Sequence, residues 1–276
     1  GKGIPPEAQA ALSQAVTSLR RDDPASLAEA RAKLQGVVHA WPGYLEARAT
    51  HLVAMLFQLD DARMELQRLT DETTAINTQI NELTEQQSQP DSQDSRDQVN
   101  ALVDRLGELK AQIDPAAERT AVLDGEVNDA FQALQQAAAV GPSPQDEIHL
   151  IRAQALYFGV KGSEQALALS ERYRAKGGQE GWGDLAWAEY ALNARSAPDT
   201  LRQAREALEV LRASDPSWVR LYVLIGRLAL AEEALDAATT ALDSAITLNP
   251  KHQTAQTLLR LAEGHKKQAT ADEFAP

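Results

Sequence analysis

The chain has 276 residues, 43% of them hydrophobic and 24% charged, with a net charge of −13. That apolar content excludes a disordered chain, and the lack of any apolar run of about 18 residues excludes a helix spanning a membrane. Cysteine is absent, which rules out disulfides and Cys-based zinc or redox sites, and the acidic balance argues against nucleic-acid binding by phosphate neutralisation.

Ala, Leu, Glu, Gln and Arg are all good helix formers, and their abundance predicts an all-α protein. Arg outnumbers Lys 19 to 8, which with the alanine load fits a GC-rich, bacterial genome. A start of Gly1-Lys2-Gly3 would suit a bacterial lipoprotein of the periplasm or envelope trimmed of its lipidated Cys; the alternative is a cytoplasmic chain.

In chain order, a first helix is expected over roughly Glu7–Leu19. Ala30, Leu34, Val37 and Pro42 mark a second. Residues 45–58 read as the first helix of another pair, whose matching second helix, with Ala130, Leu134, Ala137 and Pro142, comes only after an insertion of about 66 residues. Inside the insertion the period becomes strictly heptad: Leu59, Ala62, Leu66, Leu69, Thr73, Ile76, Ile80 and Leu83, then Val99, Leu102, Leu106, Leu109, Ile113, Ala116, Thr120 and Leu123. Polar residues around Pro90 separate the runs, so the segment predicts an antiparallel coiled-coil hairpin with Leu83 near Val99 and Leu59 near Leu123. Arms of this length would reach roughly 40 Å. Pro115 should either kink the second arm or follow Asp114 as the start of a fresh helix. Expected segments are therefore 1–58, the hairpin 59–123, and 124–276.

Further helix pairs follow. Leu150, Ala153 and Tyr157 lead to Ala166, Ser170 and Tyr173, ending at Gly177–Gly178. Trp187, Tyr190, Ala191 and Ala194 lead to Ala204, Leu208, Leu211 and Pro216. The clearest unit is 219–250, with Tyr222, Ile225, Gly226 and Ala229 on one helix and Ala238, Leu242 and Ala245 on the next, closed by Pro250. Small Gly226 and Ala238 suit helices whose backbones approach closely. One more helix, 253–268, precedes a frayed tail.

This order of large, large-small, large, then small, large, small and Pro resembles the tetratricopeptide repeat. The resemblance implies a right-handed helical solenoid of about five helix pairs with a projecting hairpin, whose first helices line a groove for a peptide or helix. The groove residues would be Ile148, Ile151, Ala155 and Phe158; Leu185, Ala188, Leu192 and Arg195; and Arg220, Val223, Arg227 and Leu230. Arg220 and Arg227 stand out as charges on an apolar stretch, suited to a carboxylate of the partner. Glu46, Arg48 and the nearby alanines do not supply the Lys and Asn of the family's clamp for chaperone C-termini.

No catalytic constellation appears. The histidines at 39, 51, 149, 252 and 265 are scattered, without metal-ligand spacing, and no phosphate loop or nucleophile elbow occurs. A non-enzyme without cofactor or metal is expected. Residues 60–122 hold 14 Asp and Glu against 6 Lys and Arg, so the hairpin is either a solvated surface or a contact for a basic partner, with Asp91, Asp94 and Asp97 as its candidates. Trp182, in the loose loop 176–183, would be a tucked turn residue or an exposed binding anchor. The chain reads as a protein–protein interaction scaffold or adaptor subunit of a multiprotein complex. Alternatives are a homo-oligomeric spacer joined through the hairpin and a regulatory module of a larger protein.

Overall fold

A computed structural model describes residues 3–86, 93–178 and 181–273. Among them are eleven helices and no strand: α1 (Pro6–Arg21), α2 (Pro24–Ala40), α3 (Leu45–Gln86), α4 (Gln93–Ala138), α5 (Pro144–Val160), α6 (Gln165–Ala175), α7 (Trp182–Asn193), α8 (Pro198–Ser214), α9 (Val219–Ala231), α10 (Leu235–Leu248) and α11 (Gln253–Glu273). The chain divides into two compact units, Gly1–Phe57 with Val127–Pro276, and Gln58–Glu126. Both α3 and α4 are continuous and contribute residues to each unit. No Gly or Pro interrupts α3 where its period changes near residue 58, so nothing ends the helix there.

Starts and stops in the larger unit have local causes. Prolines open α1, α2, α5 and α8, where a missing N–H costs nothing and φ is already helical. Asp23 caps α2 by accepting from the Ser26 N–H at 2.9 Å, and Ser143 caps α5 by accepting from the Asp146 N–H at 3.1 Å. The last helix, α11, continues to Glu273, so residues 269–273, expected to fray, are helical.

Helices α5, α7 and α9 each pack on their neighbour and on the next but one: α5 on α6 and α7, α7 on α8 and α9, α9 on α10 and α11. Central α9 is apolar nearly all round and is buried accordingly. Its Val219, Tyr222, Val223 and Ala229 form one core with Ala238, Leu242 and Ala245 of α10 and Ala255 and Ala262 of α11. Gly226 lies beneath Leu242, where an added Cβ would come within 2.6 Å of Leu242 Cγ. A tighter approach occurs at Gly159 of α5, whose Cβ position is 2.5 Å from the Ala186 carbonyl oxygen of α7. The α7 face differs from expectation. Leu185, Ala186, Ala188 and Ala191 are buried, whereas Trp187 and Tyr190 are only half-buried and Ala194 lies exposed past the helix end. Helix α1 also packs on α9, far along the chain.

In the smaller unit, Leu69 and Ile76 of α3 and Leu109 of α4 form a buried cluster, with Ile80, Leu102, Leu106, Ile113 and Ala116 packed against it. Arg63–Asp124 and Arg105–Glu72, both at 2.8 Å, link the two helices across this seam. Helix α4 runs unbroken through Pro115, so no fresh helix starts at Asp114. The Thr73 hydroxyl is buried in the seam without a hydrogen-bond partner.

Candidate interaction surfaces

Most of the expected groove wall is packed interior. Ile151, Ala155, Leu185, Ala188 and Val223 are at most 1% exposed. Half-buried Leu230 packs against the α9–α11 core. Phe158 meets Phe131 and Tyr157 edge-on, with ring centroids 5.7 and 5.2 Å away. Ile148 and Leu192 are half-buried. Arg195 belongs to no helix wall: it lies past the end of α7, exposed, with φ 49°.

Arg220 corrects the sequence reading most sharply. It is 0% exposed and held by the chain itself. Its Nε donates to Asp22 Oδ1 at 2.8 Å, its Nη2 lies 2.8 Å from the same oxygen, and its guanidinium stacks 4.4 Å from the Phe57 ring centroid. The other oxygen, Asp22 Oδ2, lies 2.7 Å from His252 Nε2. Because the Ala255 N–H donates to His252 Nδ1 at 3.1 Å, Nδ1 is the acceptor and Nε2 carries the proton that His252 donates to Asp22. His252 thereby caps α11 while neutral.

The α1–α2 turn that presents Asp22 suits this task. Asp22 ends α1 at φ 64°, a left-handed conformation that Asp tolerates better than most residues. Next to it, Asn249 Nδ2 donates to the Arg21 carbonyl at 2.8 Å and to Asp23 Oδ2 at 2.7 Å. Burial works to raise the Asp23 pKa, but hydrogen bonds from Asn249 and Ser26 and the charge of Arg21 outweigh it and hold the carboxyl below its ordinary value. Arg20 extends the junction by donating to Asp215 and, at 3.0 Å, to Ser217 Oγ. Arg227, 12% exposed, lies 3.8 Å from fully buried Glu189. Both cations assigned to a partner's carboxylate thus face carboxylates of this chain.

Trp182 is tucked, not presented. It is half-buried, with the Arg152 guanidinium 4.7 Å from one ring and the Trp218 ring 4.8 Å away. Arg20 completes the ladder at 5.5 Å from Trp218. These contacts join the starts of α7 and α9 to α5 and the end of α1.

On the smaller unit the acids divide into paired and unpaired sets. Arg68 bonds Glu65 and Glu72, Arg105 bonds Glu72 and Glu108, and Arg63 bonds Asp124. Toward the turn, Glu82, Asp94 and Asp104 have no ion-pair partner among the described residues, and exposed Asp97 accepts from Gln93 at 3.1 Å. Asp91 lies outside the described residues. Between the arms here is an open cavity of about 580 Å³, lined by Gln79, Glu82, Leu83, Gln98, Ala101 and Leu102.

Among the described residues no group of three His, Asp or Glu is placed to hold a metal ion, and no helix is long and apolar enough to cross a membrane. No family model matches the chain, and neither a curated protein nor a solved structure matches it.

Proposed function

We propose that the chain is a non-enzymatic protein–protein interaction scaffold, an assembly or adaptor subunit of a bacterial complex working without a cofactor. In this reading the larger unit is a tetratricopeptide-like, right-handed solenoid and the smaller one an inserted coiled-coil hairpin. The stacking of α5, α7, α9 and α11 on one another supports the first part. The leucine and isoleucine seam between α3 and α4 supports the second.

One contrast carries the functional reading. Arg220 and Arg227 are engaged by Asp22 and Glu189, while Glu82, Asp94 and Asp104 of the hairpin are exposed and have no ion-pair partner among the described residues. The partner contact therefore belongs to the hairpin, not to the first-helix wall. A homo-oligomeric spacer built through the hairpin would set like charges against each other. The test is photo-cross-linking in lysate of the source cells, with a benzophenone side chain at Ala101 and, separately, at Phe158. A discrete protein adduct from position 101 is expected. No protein adduct at either position would overturn the proposal.

A further inference from the structure

We infer that the cleft near the turn of the smaller unit is a docking groove for a basic amphipathic helix of a partner protein. The inference rests on the scaffold reading and names the chemistry of its partner. Along the α3–α4 seam, burial falls toward the turn. Leu69, Ile76 and Leu109 are 1%, 7% and 0% exposed, whereas Ile80, Leu83, Val99 and Leu102 are only half-buried. In a two-helix seam the long side chains flanking the core positions, commonly Glu, Lys or Arg, cover it with their aliphatic stems. Here the flanks are Gln79, Gln98 and Ala101, and the cleft of about 580 Å³ stays open over Leu83 and Leu102. That volume falls within the roughly 300–1,000 Å³ of ligand-binding clefts. A third helix laid in the cleft would supply the missing wall, inserting aliphatic side chains between the arms.

Charge decides which helix. The described stretches 79–85 and 93–104 carry Glu82, Glu85, Asp94, Asp97 and Asp104 against the single cation Arg96. In the remainder of the two arms, by contrast, Glu65, Glu72, Glu108 and Asp124 are bonded to Arg68, Arg105 and Arg63. A second copy of this chain would bring the same acids and a net charge of −13, so its approach is repelled. A helix with Lys or Arg beside its aliphatic stripe meets an apolar floor and an acidic rim together.

The experiment uses the full-length chain and a labelled synthetic helical peptide with leucines on one face and lysines on the other, followed by fluorescence anisotropy. A peptide with glutamates in place of the lysines is the control. The lysine peptide should bind, weakening roughly tenfold or more as salt rises from about 0.05 to 0.5 M, and the glutamate peptide should not. Ala101→Trp fills the cleft without changing charge and should weaken binding about tenfold or more. Gln98→Trp, which fills it from an exposed position, is the second variant should Ala101→Trp lose helical signal. Lysine-peptide binding unchanged in the filled variants would reduce the effect to unspecific charge and overturn the inference. So would equal binding of the glutamate peptide, absence of binding, or a wild-type dimer that Gln98→Trp dissociates. The first three leave the scaffold reading standing while a partner protein cross-links to the hairpin, whereas the dimer would replace it by the spacer; the scaffold reading falls on its own when no adduct forms.

Discussion

Asp22→Asn isolates the charge that closes the larger unit on itself. Asparagine keeps the shape of the side chain and also tolerates the left-handed φ of 64°, so the substitution changes the charge and little else. The native carboxylate accepts from Arg220 at 2.8 Å and from His252 at 2.7 Å, and it is 0% exposed. Breaking a buried charged pair costs about 3–5 kcal/mol. The Phe57 ring beneath Arg220, and an amide oxygen that still accepts one bond, place the cost near the lower end, about 3 kcal/mol. At about 2–4 °C per kcal/mol for a unit of this size, the melting temperature should fall by roughly 6–12 °C. All four tryptophans, Trp41, Trp182, Trp187 and Trp218, belong to the larger unit, so tryptophan fluorescence reads its unfolding apart from that of the smaller unit. A double-mutant cycle with Arg220→Met should give a coupling above about 1.5 kcal/mol. A loss below about 1 kcal/mol with no coupling would refute the reasoning, since the junction would then carry no buried charge energy.

Other perturbations give separable outcomes. Gly159→Ala should cost more than Gly226→Ala, because the first meets a backbone oxygen at 2.5 Å and the second the end of a leucine side chain; overpacking of about 1–3 kcal/mol is expected, with equal thermal melts for the two variants against it. Thr73→Val removes a buried hydroxyl that has no partner among the described residues and should stabilise the smaller unit by about 1 kcal/mol in circular-dichroism melts, a loss being the contrary result. Asp23 and Asp215 both have folded pKa values below the ordinary 3.8, Asp215 because Arg20 and Ser217 outweigh its burial. A depressed carboxyl contributes stability above its unfolded pKa and loses it as pH falls through the folded one, so the larger unit should stay stable down to about pH 5 and weaken below 3.8. The combined Asp23→Asn and Asp215→Asn variant should unfold less steeply with acid, and an unchanged fluorescence titration would contradict this.

Which features could be read from the sequence follows from the range of the interactions. Heptad spacing is local, so Leu69, Ile76 and Leu109 were identifiable as seam residues without knowing what they faced. Helix content and the stops at Asn249–Pro250 were legible for the same reason. The closure was not, because Asp22 meets Arg220 and His252 across 198 and 230 residues of chain. One signal was available. A lone Arg in the otherwise apolar Val219–Gly226 belongs to a helix buried all round, and such a charge calls for an internal carboxylate rather than an external ligand. The α7 face was misjudged because Trp187 and Tyr190 drew the pattern, whereas small Ala186, Ala188 and Ala191 make the close contacts. Gly159 was the missed counterpart of Gly226, a small residue where the α5 and α7 backbones nearly touch.

The central claim is that binding resides in the hairpin while the larger unit is complete in itself. Replacing residues 61–123 by a short linker, then measuring lysine-peptide affinity alongside the tryptophan-monitored melt, tests both halves in one preparation. The account predicts that peptide binding disappears while the cooperative melt of the larger unit persists. Undiminished binding by the shortened chain would contradict it, as would loss of the cooperative melt.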